Sequence, residues 1–182
     1  MRALVVYESV FGNTHAIAEA IGRGLASAPD VEVEVVPVDD AVPGRLEAVD
    51  LLVVGGPTHV HGMARESTKE GGVTQEHERA EQQHRPEHPI DEQAHGQVLR
   101  EWLETLVRPH DDAQAAAFDT RADGPRLITG SAGHAISKRL RHDGWPLLAD
   151  HASFLVDHDN ELLDGELERA EAWGAELVGP VT

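Results

Sequence analysis

Hydrophobic and polar positions along the chain predict an alternation of strands and helices. Residues 3–7 form a continuous apolar run, which is typical of a central parallel strand covered on both faces. Residues 50–55 indicate a second buried strand, whereas residues 31–36 alternate with period two and predict a half-exposed strand near a sheet edge. Small residues at 113–118 and an apolar stretch within 147–156 add two further strands.

Four helices are predicted between and after these strands from apolar positions three or four residues apart, around residues 17–25, 98–106, 131–140 and 164–177. Residues 39–49 are too short and proline-broken for a helix. The order of elements is that of an α/β protein with a doubly wound parallel sheet.

Residues 64–97 interrupt this pattern, because Val73 and Ile90 are their only branched aliphatic residues. Such a segment buries too little apolar surface to order itself, and we expect a mobile insertion beside the functional site. The remaining length suits one domain, so we expect residues 1–182 to form a single domain that carries this insertion.

Candidate chemistry is concentrated in the loop between the first strand and the first helix. Residues 9–14 (Ser-Val-Phe-Gly-Asn-Thr) place two hydroxyls, a glycine and several backbone N–H groups directly before the helix. A helix N-terminus preceded by such a loop binds anions, because its N–H groups and positive dipole end face the ligand. The alternative is an ordinary strand-to-helix turn with Thr14 as N-cap.

The residues around this loop resemble the phosphate-binding sequence of the flavodoxin family. Its fixed positions are all matched here, by Val5, Val6, Tyr7, Ser9, Gly12, Thr14, Ala18 and Ile21. The resemblance implies a flavodoxin-like doubly wound five-stranded parallel sheet with strand order 2-1-3-4-5. It also implies non-covalent FMN, whose phosphate would be held by Ser9, Val10, Phe11, Gly12, Asn13 and Thr14.

Two further loops are implied by the resemblance to surround the flavin ring. The first, after the third strand, would cover the ring and lie near its N5 atom; it consists of Pro57, Thr58, His59, Val60, His61 and Gly62. The second would line the pyrimidine edge and consists of Phe118, Asp119, Thr120 and Arg121. A purely structural turn is the alternative for the first loop, and a surface arginine paired with an aspartate is the alternative for Arg121.

No side chain is assigned as catalytic, although His59 or His61 is a candidate proton donor. Familiar flavodoxins stack tryptophan and tyrosine on the flavin, and neither loop contains these residues. We therefore keep two functions open: an electron carrier, and an FMN-dependent oxidoreductase resembling NAD(P)H:quinone reductases or protoporphyrinogen oxidases. A regulatory domain that has lost flavin is less consistent with the complete phosphate loop.

Composition limits the partners and the compartment. Acidic residues outnumber basic ones 33 to 15, giving a formal charge of −18. This charge disfavours nucleic acid and favours redox partner proteins with basic docking surfaces, although adaptation to salt produces the same composition. The chain has no cysteine and shows neither a signal peptide nor an apolar run of membrane-spanning length, so we expect a cytoplasmic protein.

Two other classes of site are disfavoured. His84 and His88 have the spacing of helical metal ligands, but Pro86 between them argues against a regular helix, and no metal site is expected. A phospho-accepting receiver domain needs acidic residues where the third strand ends, and Gly55-Gly56-Pro57 stands there instead.

Overall fold

Five long strands form one parallel sheet. The computed structural model describes residues 1–59, 62–63, 73–74, 76–78, 80–81, 87, 89–91, 98–125 and 129–179. The strands are β1 (Arg2–Tyr7), β2 (Glu32–Pro37), β3 (Leu51–His59), β5 (Gln114–Ala122) and β6 (Ala152–Val156), and a two-residue strand, β4 (Gly62–Met63), pairs antiparallel with β3. The sheet order β2-β1-β3-β5-β6 confirms the predicted order 2-1-3-4-5 of the five long strands.

Helices cover both faces of this sheet. They are α1 (Asn13–Leu25), α2 (Pro43–Leu46), α3 (Leu99–Glu104), α4 (Ala132–His142) and α5 (Glu166–Val178), with a 3₁₀ turn at Val38–Asp40. One hydrophobic core lies between the sheet and the pair α1 and α5, and a second lies between the sheet and α3 and α4. Among the helices in the described ranges, none combines the length and apolar character that a membrane span requires.

The structure has a short helix, α2, within residues 39–49, where none was expected, because Pro43 lies in its first turn, where proline is tolerated. It also corrects two predicted boundaries. Residues 57–59 and 119–121 were expected in loops, but they continue β3 and β5. The reason is that the parallel ladder extends past residue 55, with Gly55 opposite Phe118 and Pro57 opposite Thr120. Gly55 makes this possible, since a Cβ at that position would lie 2.2 Å from the Phe118 ring.

Most of the segment 64–97, predicted as a mobile insertion, lies outside the described residues. Those that are described include helical positions at 73–74, 76–78 and 80–81, which the sequence pattern did not predict, and Ala80 among them is buried. The organisation as one domain with an insertion stays a prediction.

Close backbone contact between α1 and α5 fixes the position of α1 over the sheet. A Cβ on Gly174 would lie 2.3 Å from the carbonyl oxygen of Ile21, and one on Gly24 would lie 2.0 Å from the carbonyl oxygen of Glu171. These atoms belong to helix backbone, which cannot move aside as a flexible side chain can. Only glycine at both positions permits the observed packing of the two helices.

We therefore expect Gly174→Ala to destabilise the fold by about 1–3 kcal/mol, because the added methyl separates α1 from α5. Urea denaturation of the apoprotein measures this loss. Gly44→Ala in α2 is the matched control, since its Cβ would meet nothing within 4 Å and alanine is the better helix former. Equal stability of both variants would contradict the close helix contact.

Candidate functional site

The carboxyl ends of β1, β3 and β5 lie at one edge of the sheet and carry the residues predicted for the site. The loop 9–14 follows β1 and leads into α1. Gly12 is the N-cap residue of α1 and has a left-handed backbone with φ of 87°, which glycine adopts without strain. Its N–H donates to Ser9 Oγ at 3.1 Å, so the buried Ser9 hydroxyl braces the turn.

This loop presents backbone donors that have no acceptor within the described part of the chain. The N–H groups of Phe11, Asn13 and Thr14 donate to no described backbone or side-chain atom, whereas Ala16 N–H already bonds to the carbonyl of Gly12. The first turn of α1 contains no acidic residue. Unpaired N–H groups at the positive end of a helix form a site for an anion such as a phosphate monoester.

Thr14 is not the N-cap residue of α1, contrary to the alternative interpretation of the loop, because Gly12 holds that position. Its side chain is buried, and its hydroxyl lies 2.7 Å from the hydroxyl of Thr120 on β5. Helix α1 is therefore connected directly to β5, the strand that carries the predicted pyrimidine-edge residues.

Asp119 is a buried anchor rather than an exposed loop residue. Its side chain is 0% exposed, and its Oδ2 accepts from the Ser131 hydroxyl at 2.7 Å, the Gly133 N–H at 2.8 Å and the Thr58 hydroxyl at 3.1 Å. Thr58 Oγ1 also accepts from the N–H of Ala132 at 2.9 Å. This network joins the ends of β3 and β5 to the start of α4, and it fixes the positions of the three elements relative to one another.

The loop after β3 is described only in part. Its backbone turns back on itself, with Thr58 paired to Met63 and His59 paired to Gly62. Val60 and His61, and the side chain of His59, lie outside the described residues. The hypothesis that His59 or His61 donates a proton therefore stays a prediction.

The two outer members of the predicted 118–121 group have different environments. The Phe118 side chain is fully buried and meets the ring of Phe154 edge-on, so it belongs to the core. Arg121 is partly exposed and donates through Nη1 to the carbonyls of Gly124 and Ala122 and to the Thr129 hydroxyl. Within the described ranges these neutral oxygens hold Arg121, and no aspartate pairs with it as the alternative interpretation required.

Sequence reasoning missed a group beside the phosphate loop. Tyr7 stacks on His15 with ring centroids 4.7 Å apart, and His15 Nδ1 lies 3.2 Å from Asp91 Oδ2. The N–H of Asp91 donates to the Val10 carbonyl at 2.8 Å, while Asn13 Nδ2 donates to the Asn160 carbonyl at 2.7 Å. Asp91 falls in the segment expected to be mobile, and no sequence pattern connected it to the loop.

The chain is similar in sequence and in structure to known proteins. Residues 5–95 match the family model Flavodoxin. The structure is similar to a flavodoxin from the domain Archaea (22% identity, 97% of this chain and 96% of that chain, TM-score 0.62) and to oxidised Flavodoxin 1 from Bacillus cereus (16%, 100% of each chain, 0.64). It also resembles a flavodoxin, WrbA-like protein from Agrobacterium tumefaciens (17%, 97% and 94%, 0.56). Comparison with curated proteins gave no match.

Tyr7 offers an optical test of the environment beneath the loop, because it is the only tyrosine of the chain. Burial, followed by the negative charge of Asp91, raises the pKa of Tyr7 above its ordinary value of about 10. The folded apoprotein should thus show no tyrosinate absorbance at a pH where free tyrosine is ionised. Stability should be retained below pH of about 10 and fall as the pH rises above it, since the unfolded chain releases the proton first.

The contribution of Tyr7 to the pH dependence of stability is measured by the urea midpoints of wild type and Tyr7→Phe below and above a pH of about 10. Phenylalanine keeps an aromatic ring but has no proton to lose. The two proteins should differ in how steeply their stability falls above a pH of about 10. Tyrosinate absorbance appearing near pH 10 in protein that is still folded would contradict the buried environment.

Proposed function

Because this chain belongs to the flavodoxin family, whose members bind FMN, we propose that it is an FMN-binding electron-transfer protein that exchanges electrons with partner proteins. The observation that carries the proposal is the set of unpaired N–H groups of Phe11, Asn13 and Thr14 at the start of α1. They fit a phosphate monoester, and a Cβ on Gly12 would meet nothing within 4 Å, so the turn leaves open space for a ligand.

Ser9 to Thr14 would hold the phosphate in this proposal, and Pro57 to Gly62 would cover the flavin. Arg121 and the backbone of Thr120 would line its pyrimidine edge, with Phe118 and Asp119 supporting them from the core. FMN supplies the ability to take up and release one or two electrons, and the protein sets its orientation and its access to solvent. Arg121 provides a cation at the end of β5, and a cation favours negative charge nearby.

The excess of acidic residues supports a protein partner. A formal charge of −18 attracts a basic docking surface and accelerates encounter at low ionic strength. Flavodoxins interact with redox partner proteins, which agrees with this charge. A cytoplasmic location is part of the same proposal.

A second candidate is an FMN-dependent oxidoreductase that reduces a quinone with NAD(P)H or acts like a protoporphyrinogen oxidase. The absence of Trp and Tyr from residues 57–62 and 118–121 favours it, because the ring would be covered by smaller or more polar side chains. Access of a small substrate to the ring is easier under such a cover.

Binding of FMN is tested at Gly12 by two variants of nearly equal size. Aspartate and asparagine both tolerate the left-handed backbone found there, but only aspartate adds a negative charge to the phosphate loop. We expect Gly12→Asp to weaken FMN binding at least about tenfold more than Gly12→Asn, as measured by flavin fluorescence titration. Riboflavin, which lacks the phosphate, should bind both variants equally. Equal FMN affinity of the two variants would argue against phosphate binding at this loop.

An electron carrier and an enzyme differ in whether the FMN-loaded protein needs a separate reductase to take electrons from NAD(P)H. A carrier should oxidise NADH or NADPH only when a reductase is present, and exchange with that basic partner should slow as salt screens the charges. Direct oxidation of NAD(P)H with quinone alone would contradict the carrier and support the second candidate. The Gly12→Asp variant is the control in both assays, because it should lose either activity together with FMN.

A further inference from the structure

We propose that Thr120 is a positioning residue for the phosphate of FMN, acting through the hydroxyl of Thr14. The inference rests on the proposed binding of FMN at residues 9–14. It assigns to Thr120 a role different from contact with the pyrimidine edge of the flavin.

The geometry isolates these two hydroxyls as a pair. Thr14 is 2% exposed and Thr120 is 5% exposed, and their oxygens are 2.7 Å apart. Across the described ranges, neither hydroxyl has another hydrogen-bond partner. Each therefore depends on the other for the hydrogen bond that a buried polar group requires.

Two hydroxyls that share one hydrogen bond leave one proton unused. A threonine hydroxyl has a single proton and two acceptor positions, so the oxygen that accepts keeps its own proton for another partner. If Thr120 donates, the Thr14 proton is the free one, at the first turn of α1 and next to the unpaired N–H groups. A phosphate at this position selects that arrangement, because a hydrogen bond to an anion is stronger and polarises the bond behind it.

Thr120 is suited to keep its hydroxyl as the donor to Thr14, because the Thr120 backbone lies in the interior of the sheet. It pairs with Pro57 on one side and with Phe154 on the other, and the preceding residue, Asp119, is anchored by three hydrogen bonds. The segment that carries Thr14 has fewer hydrogen bonds, since the N–H groups of Phe11, Asn13 and Thr14 have no acceptor in the described ranges. A hydroxyl on a rigid strand thus orients a hydroxyl at the ligand.

The test measures the affinities of apoprotein variants for FMN and for riboflavin by fluorescence titration. Thr120→Val removes the hydroxyl at nearly constant volume, and we expect it to weaken FMN about tenfold while riboflavin changes by less than about threefold. Thr120→Ser, which restores a hydroxyl, should bind FMN within about threefold of wild type. Thr105→Val is the matched control, since it removes a threonine hydroxyl that bonds to the Trp102 carbonyl at the end of α3.

A double-mutant cycle with Thr14→Val shows whether Thr120 acts through Thr14. We expect Thr120→Val to change FMN affinity by less than about twofold once Thr14 is valine, because no hydroxyl remains to be oriented. Urea denaturation of each apoprotein records stability separately. Thr120→Ala replaces the valine variant in the same measurements should the latter not fold.

Two results would overturn the inference while FMN binding stands: equal weakening of FMN and riboflavin by Thr120→Val, or independent effects of the two substitutions. The first would show that Thr120 only supports the fold, and the second that it acts on the ligand without Thr14. A wild-type protein that does not prefer FMN over riboflavin would instead refute phosphate binding at this loop, and with it the role of Thr120.

Discussion

Parallel pairing of β1 with β3, and of β3 with β5, fixes where every loop of the candidate site begins. The three strands are buried on both faces, and their register places Tyr7 opposite Gly55 and Pro57 opposite Thr120. The pairing continues to the end of the sheet because glycine at position 55 leaves room for the Phe118 ring. A side chain there would separate β3 from β5 and move the loops that follow them.

The polar groups at this edge divide into a satisfied set and an unsatisfied set. Asp119 is fully buried, and one of its oxygens accepts three hydrogen bonds that join two strands to α4. The N–H groups at the start of α1 have no acceptor in the described ranges, although α1 contacts the residue after Asp119 through the Thr14 and Thr120 hydroxyls. The second oxygen of Asp119, Oδ1, is buried and has no hydrogen-bond partner in the described ranges, so this edge is not satisfied throughout. The N–H groups at the start of α1 differ from it because they lie at a helix N-terminus, where the proposed phosphate would accept from them.

The sequence predicted the elements whose signals are local and missed those that depend on partners distant in the chain. Apolar runs and helical spacing identified all five long strands and α1, α3, α4 and α5, and the glycine and hydroxyls of residues 9–14 identified the loop. The pattern gave no sign that residues 119–121 would continue β5, because strand length is set by pairing with β3. The contact of Asp91 with the loop joins residues about eighty positions apart, and no periodicity records such a contact.

The proposed anion site belongs to a chain with a formal charge of −18. The two are compatible because hydrogen bonds and surface charges act over different distances. Hydrogen bonds and a helix dipole act within the first turn, whereas charges on the surface are screened beyond about 8 Å at physiological salt. The first turn of α1 contains no acidic residue, and the only formal charge among residues 118–121 other than the buried Asp119 is that of Arg121. Neutral donors can therefore hold a phosphate locally while the acidic surface remains available to a basic partner. An anion site built on lysine or arginine would have weakened that surface, which is a physical reason for a phosphate loop without a basic residue.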